Sequence, residues 1–473
     1  MATNSYIKRV DWITIGLYAL LVAFGWVSIY AANFNPENPV FFDTGKEYFK
    51  QLVWIGLSLF FIGIIFLTDS KFYVEFSYIF YGLTLFLLVA VLLFGKEING
   101  AKSWFEIGPV RFQPAELCKV ATNLAIARAL SRYGFSFNRF SDLLRAGALI
   151  LLPMLLILLQ NDTGSALVYA VFILVFYREG LTAYVLTFGF IAAIVVTLTL
   201  MIPNATIIGM IILGVVAVLY IKGYRRELIK PLVAGAVTFG LAFAARYLVE
   251  KQWPLEYLLM AGVFVASVYI LVTSLVKRAF RFVPTYLLIL WSAIGLSLTA
   301  DYFFEEVLSD YQRTRINVLL GLESDPLGAG YNVNQSKIAI GSGGFSGKGF
   351  LQGTQTKFDF VPEQSTDFIF CTVGEEWGFL GSTLVVILFV SLLLRLLFLA
   401  EKQHSSFSRV YGYGVAAIFF FHFAINMGMT IGLAPVIGIP LPFFSYGGSS
   451  LWGFTLLLFV FLKLDTNRTE LIR

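Results

Sequence analysis

Apolar runs of about 20 residues recur along the whole chain, separated by short polar breaks. A helix needs about that length to cross the hydrocarbon core of a bilayer, because lipid offers no partner to an unsatisfied backbone N–H or C=O. Fourteen segments meet the pattern: 12–32, 51–68, 73–94, 114–131, 143–160, 164–177, 181–202, 205–221, 230–248, 256–275, 283–302, 366–397, 408–432 and 446–464. Two are the weakest, 114–131 because it carries Glu116 and Lys119, and 164–177 because it is short. The first span lacks a short apolar core followed by a small-residue cleavage site, so it reads as an anchor and not as a removable signal. The fold class expected is an all-α polytopic integral membrane protein with about 14 transmembrane helices.

Composition supports this and excludes the alternatives. Of 473 residues, 58% are hydrophobic and only 13% charged, against about 25% charged in a soluble domain. Disorder needs the opposite balance. The two cysteines, Cys118 and Cys371, rule out a disulfide scaffold and sit in apolar runs, as small hydrophobes do. The net charge of +5 matters through its placement. With Lys8 and Arg9 inside, the clusters 128–145, 222–230, 277–281, 395–409 and 463–473 also fall inside; about 21 of the 34 Lys and Arg are then inward and about 11 outward. Both termini are thus expected in the cytoplasm, with an even span count through the 222–281 region.

Two outward loops are long, 95–113 and 303–365, and long loops in compact proteins are usually functional. Ionisable residues beside or within spans are costly and by default mark function or a buried pair. Glu116 and Lys119 are spaced i,i+3 on one helix face, as a mutual ion pair or as substrate contacts. Asp162, in QNDTGSA, is placed to cap a helix. Asp367 opens a long apolar helix beside the glycine-rich loop; it is placed to cap, as Thr366 is, or to act as a general base. Glu375 and Glu376 lie deeper in that helix, where basic residues of neighbouring helices are the expected partners. The stretch 426–450 holds Pro435, Pro440, Pro442, Gly447 and Gly448 at membrane depth, a broken helix of the kind tolerated where it is buried or lines a cavity. IGSGGFSGKGF lacks the spacing of a phosphate-binding loop. His404 and His422 are too isolated for a histidine metal site, and nothing points to a nucleic-acid partner.

Several motifs occur in a specific order: NGAKSWFEIGPVRFQPAELCK at 99–119, QNDTGSA at 160–166, ESDPLGAGYNVNQSKIAIGSGGFSGKGF at 323–350, VPEQSTDFIF at 361–370 and NMGMTIGLAPVIGIPLPFFSYGGSS at 426–450. Through them the chain resembles the SEDS family (shape, elongation, division and sporulation), in its RodA-like branch. The resemblance implies a peptidoglycan glycosyltransferase that polymerises lipid II into β-1,4-linked glycan on the outer face of the bacterial cytoplasmic membrane, for elongation and rod shape. It implies Asp367 as the catalytic residue. Trp104, Glu116, Lys119 and Asp162 match positions important in the family, and Lys102, Arg111, Gln113, Lys337, Glu363, Thr366, Ser445 and Tyr446 complete the substrate-binding candidates. Lys102, Arg111, Lys119, Arg313 and Arg315 are candidate cations for the leaving diphosphate. A divalent cation, Mg or Mn, with Asp367 and Asp162 as candidate ligands, is the one cofactor considered. Expected partners are lipid II, undecaprenyl-linked glycan, membrane lipid and a class B penicillin-binding protein. The rival readings are a lipid II flippase and a non-catalytic scaffold for that protein.

Two departures stand out. Asn161 and Ser165 replace residues common in QNDTG relatives. The family core has ten spans, so about four are surplus, placed in 181–280. The organisation expected is an N-terminal core 1–180 with its outer loop 95–113, extra helices 181–280, a core span 281–302, the large loop 303–365 and a C-terminal core 366–473.

Overall fold

The computed structural model describes residues 9–34, 43–98, 100–108, 110–248, 253–277, 283–308, 310–323, 325, 328, 330–358 and 360–468. Lys8, Arg278, Arg281, residues 469–473, and Ser324, Pro326, Leu327 and Ala329 of the ESDPLGAGY motif lie outside the described residues. In chain order the elements are α1 Trp12–Ala32, α2 Glu47–Leu67, α3 Ser70–Glu75, α4 Ser77–Phe94, β1 Lys96–Ile98, β2 Ala101–Ile107, β3 Val110–Phe112, α5 Pro114–Leu130, α6 Phe140–Leu158, α7 Thr163–Val168 and α8 Phe172–Arg178. They continue with α9 Ala183–Met201, α10 Asn204–Ile221, α11 Arg225–Leu248, α12 Leu255–Lys277, α13 Val283–Tyr302, α14 Asp310–Leu320, α15 Tyr331–Ser342, α16 Thr354–Lys357, α17 Ile369–Glu401, α18 Ser406–Ile431 and α19 Gly448–Thr466.

Among the described residues, twelve helices are long and apolar enough to cross a membrane. The two weakest segments are helical as well, but α5 has 17 residues, and 163–178 is a shorter apolar run broken by a 3₁₀ turn at Tyr169–Val171. The protein is a multi-span helical membrane protein with, among the described residues, one small sheet.

The chain forms two compact units, Met1–Thr182 with Asp325–Arg473, and Ala183–Ser324. In the first, α17, α18, α19 and α5 pack around a core that includes Tyr169, Phe389, Tyr411, Phe419 and Phe454. The most polar of these helices, α5, is also among the most buried: Glu116, Lys119, Thr122 and Asn123 are all enclosed. Its polarity is therefore spent inside the bundle, which explains its weak hydropathy signal. In the second unit, Ile208, Val263, Leu287, Leu290 and Ile294 form a separate small core. Thr199 and Ser297 share a hydrogen bond of 2.9 Å there.

Both long loops contain regular structure among the described residues. Residues 95–113 form an antiparallel sheet in the order β1-β2-β3. Gly100 and Gly108 hold positive φ, 82° and 61°, at the points where the chain reverses. Within 303–365, α14 belongs to the second unit, whereas α15 and α16 belong to the first.

The glycine-rich stretch 341–349 has a packing role that its composition hides. Inside α17, Gly378 adopts φ 61°, ψ −152°, which interrupts the helix. The groups freed there are paired with the glycine-rich backbone. Lys348 N–H donates to Glu375 O at 3.0 Å and Gly349 N–H to Glu376 O at 3.0 Å, while Phe379 N–H donates to Gly344 O at 2.9 Å and Leu380 N–H to Phe345 O at 3.1 Å. Two backbones at that distance leave no room for a Cβ, and glycine on both sides is the consequence.

Candidate active site

The site gathers at the sheet end of the first unit, around the break between α18 and α19. Residues 433–441 run without helical structure, and backbone of that kind inside a membrane must find partners in the protein. One face of α18 supplies them. Asn426 Nδ2 donates to Ile439 O at 2.7 Å and to Asp367 O at 2.8 Å. One turn earlier, His422 Nδ1 lies 3.1 Å from Pro440 O. Two residues at i,i+4 thus grip two consecutive carbonyls of the broken segment.

Asp367 is half-buried in the turn run 362–368 that precedes α17. Its Oδ2 lies 3.5 Å from where a Cβ would stand on Gly438, so the carboxylate faces a side-chain-free point of the broken segment. The capping expectation fails: α17 begins at Ile369, its N-cap is Phe368, and no side chain caps it. Thr366 does not cap either. Its hydroxyl donates to Glu363 Oε2 at 3.0 Å, and Glu363, exposed, takes φ 52° while its carbonyl accepts from the N–H groups of Thr366 and Phe368. Tyr446 N–H donates to Ser365 O at 2.8 Å, tying the far side of the break to the same turns. Ser445 is buried and its hydroxyl accepts from Leu441 N–H at 2.9 Å, an internal turn closure.

Glu116 and Lys119 form the expected pair, at 2.9 Å, and both are nearly fully buried. Sequence reasoning missed the third member. Lys119 Nζ also lies 3.1 Å from His422 Nε2 and stands over the Phe454 ring. An ammonium only donates, so Nε2 accepts and Nδ1 carries the proton given to Pro440 O. A chain of contacts therefore runs from Glu116 through Lys119 and His422 to the broken segment. The available signal was the i,i+4 spacing of His422 and Asn426 in the otherwise apolar stretch 414–429 of α18.

Asp162 does cap α7, accepting from Ser165 N–H at 3.0 Å, and it also accepts from Gln113 Nε2 at 2.7 Å. Gln113 sits directly before α5, so Asp162 joins the starts of two helices. A Cβ on Gly164 would collide with Ile437 O, which places α7 against the broken segment. The sheet is tied to the same turn: Lys102 N–H donates to Gln160 O at 2.9 Å, and Lys102 Nζ to Leu93 O at 3.2 Å. Trp104, half-buried, pairs across the sheet with Lys96. Arg111 is exposed and 3.4 Å from Glu106, which Lys96 also binds. The Lys96 hydrogen bond, with Arg111 beside it, holds the Glu106 carboxyl below the usual carboxylate range. Lys337, exposed on α15, lies against Gly432, the left-handed C-cap of α18, where a cation suits the helix terminus. Arg313 and Arg315 belong to α14 of the second unit.

Glu375 does not pair with a neighbouring helix as expected. Its partner is Lys348 of the glycine-rich loop, at 2.7 Å. It further accepts from the N–H groups of Thr354, Gln355 and Thr356, at 2.7, 2.9 and 3.0 Å. Glu376 accepts from Leu351 N–H at 3.1 Å. Both glutamates order residues 348–356.

The donor set does not fit a protein-only metal cage. Both Asp162 oxygens are already engaged by protein donors, and among the described residues no three His, Cys, Asp or Glu converge.

The chain is similar to known proteins along most of its length. The chain is 33% identical to the peptidoglycan glycosyltransferase RodA of Treponema pallidum (strain Nichols), over 98% of each. It is 33% identical to the peptidoglycan glycosyltransferase MrdB of Escherichia coli (strain K12), over 78% of this chain and 72% of MrdB. In fold it resembles a chain of a peptidoglycan synthase complex described as coordinating polymerization and crosslinking, with 26% identity, a TM-score of 0.63 and coverage of 98% and 99%. It also resembles the rod shape determining protein RodA of Thermus thermophilus, with 25% identity, a TM-score of 0.56 and coverage of 98% of each. The family model of the FtsW/RodA/SpoVE cell cycle proteins matches residues 11–235 and 255–470, leaving only 236–254 unmatched inside the stretch read as surplus. The break that Asn426 and His422 hold thus lies within matched sequence, and the chain belongs to the FtsW/RodA/SpoVE family.

Proposed function

We propose that this protein is a peptidoglycan glycosyltransferase that polymerises lipid II at the sheet end of its first unit, that this end faces outward from the cytoplasmic membrane, and that both termini are cytoplasmic. Asp367 is the general base. It accepts the proton from the 4-hydroxyl of the acceptor's N-acetylglucosamine as that oxygen attacks C1 of the donor's N-acetylmuramic acid. The C1–O bond to the undecaprenyl diphosphate breaks, the diphosphate leaves with the bonding pair, and inversion of the α-linked donor gives the β-1,4 linkage. The observation that carries this reading is the half-buried Asp367 carboxylate facing Gly438, with its own backbone clamped by Asn426.

The leaving diphosphate needs positive charge. Lys119 is buried and already engaged by Glu116 and His422, so Lys102, Arg111 and Lys337 take that role in the first unit. Lys119 instead positions the break. The transpeptidase partner is a class B penicillin-binding protein, a reading supported by the synthase complex among the structural neighbours.

The test is polymerisation of labelled lipid II by the purified, reconstituted protein. Glycan polymer without a transpeptidase is expected, and none from Asp367→Asn at wild-type folding and insertion. Full activity of Asp367→Asn would overturn the base assignment. Transbilayer movement without polymer would make the protein a flippase, and neither activity would make it a scaffold.

A further inference from the structure

At the end of the first unit opposite the sheet, α4, α5 and α6 enclose a cavity of about 310 Å³, lined in part by Tyr78, Arg132, Phe135, Asp142, Arg145 and Leu149. That volume is far beyond the share of a single water, about 30 Å³. Three other arginines are matched closely to carboxylates: Arg178 to Glu401 at 2.7 Å, Arg409 to Glu179 at 2.9 Å and Arg395 to Asp11. At the cavity, Arg145 meets Asp142 only at 3.7 Å. Among the described residues, Arg128 and Arg132 form no ion pair. Arg132, Arg145 and Tyr78 all line the cavity. Two guanidinium groups, Arg132 and Arg145, thus line the cavity with one carboxylate, Asp142, which is buried and also accepts from Ser136 N–H at 3.3 Å.

The cavity opens between helices whose outer faces are apolar and uncovered. Ile79, Leu83 and Phe86 on α4, and Leu144, Leu151 and Leu155 on α6, are each more than half exposed. An unmatched basic pocket continuous with two lipid-facing helices selects a ligand with an anionic head and acyl chains. We propose that this cavity binds the phosphate of an anionic phospholipid from the adjoining leaflet. Arg132 and Arg145 hold the phosphate, the Tyr78 hydroxyl donates to it, and the acyl chains lie along α4 and α6. Arginine suits this because its fork of donors matches phosphate oxygens.

The test uses the full chain in bilayers of phosphatidylcholine with phosphatidylglycerol, followed by native mass spectrometry of retained lipid. Wild type should retain phosphatidylglycerol in preference to phosphatidylcholine. Each arginine near a lipid surface contributes about fivefold, so Arg132→Gln/Arg145→Gln should weaken the preference about 25-fold, while Arg132→Lys/Arg145→Lys keeps most of it. Lys402→Gln, at the same end but outside the cavity, should leave it unchanged. No preference in the wild type overturns the proposal, as does an unchanged preference in the Gln double variant or an equal loss in Lys402→Gln. Displacement of the lipid by glycerol phosphate alone would assign the cavity to a soluble phosphate and also overturn it.

Discussion

The side-chain nitrogen of Asn426 lies 2.8 Å from the backbone carbonyl oxygen of Asp367, and the same nitrogen lies 2.7 Å from Ile439 O. One amide thus fixes the candidate base to the broken segment across from it. In Asn426→Ala both carbonyls lose their donor, at about 1–3 kcal/mol each. Glycan synthesis should fall at least tenfold, with correct insertion and a lowered melting temperature. Asn426→Asp supplies oxygens where a donor is required, so it should fail as alanine does. Wild-type polymerisation by the Asp variant, measured on labelled lipid II, would remove the clamp from the argument.

His422 tests the next link. In His422→Leu, the buried Lys119 ammonium loses an acceptor and Pro440 O loses a donor. The expected cost is about 2–3 kcal/mol, as for a hydrogen bond to a charged group, read as a lower midpoint in thermal unfolding followed by tryptophan fluorescence. His422→Gln offers an oxygen to Lys119 and an N–H₂ to Pro440, and should recover part of the loss. Equal midpoints for the Leu variant and the wild type would show that the imidazole only fills space.

Hydropathy made the helices legible because burial in lipid requires long apolar runs whatever the tertiary packing. The same logic weakened the signal of α5, found at 114–131 but among the least apolar runs, because its polar residues are enclosed by protein and not by lipid. The sheet at 96–112 was invisible because two of its strands have three residues, too short for an alternation to register. Asp367 could be singled out as a carboxylate at the start of an apolar run. Its clamp could not, since Asn426 is 59 positions away and its other partner is a carbonyl. Backbone acceptors carry no side-chain signature. The role of the glycine-rich loop was illegible for a related reason: its glycines answer the close approach of α17, a contact that exists only in three dimensions.

Glu375 collects residues 348–356. Lys348 Nζ and the N–H groups of Thr354 and Gln355 converge on Oε1, and Thr356 donates to Oε2 by its N–H and hydroxyl, at 3.0 and 2.9 Å. Glu375→Gln replaces one oxygen by an N–H₂ that faces other donors. Hydrogen exchange at amides 354–356 should rise at least tenfold, and trypsin should cut faster after Lys348 and Lys357. Unchanged exchange would mean that the loop is held by its glycine-rich splice alone.

That splice makes its own prediction at Gly378. Its φ and ψ, 61° and −152°, lie where residues with a Cβ essentially do not go, at a cost of about 1–3 kcal/mol. A Cβ there would also collide with Gly347 N and lie 2.9 Å from Gly344 O. Both obstacles are backbone, so no side chain can swing away to relieve them. Gly378→Ala must part the two strands of backbone that pair Phe379 with Gly344 and Lys348 with Glu375. It should lower folded yield and melting temperature more than either loss above. Gly16→Ala is the contrast: in α1 its Cβ would meet nothing within 4 Å, and alanine is favoured in a helix by about 0.5–1 kcal/mol. That variant should melt at or above the wild type. Equal melting of the two variants would show that the break in α17 yields without cost, and that the glycine-rich loop is not what holds it.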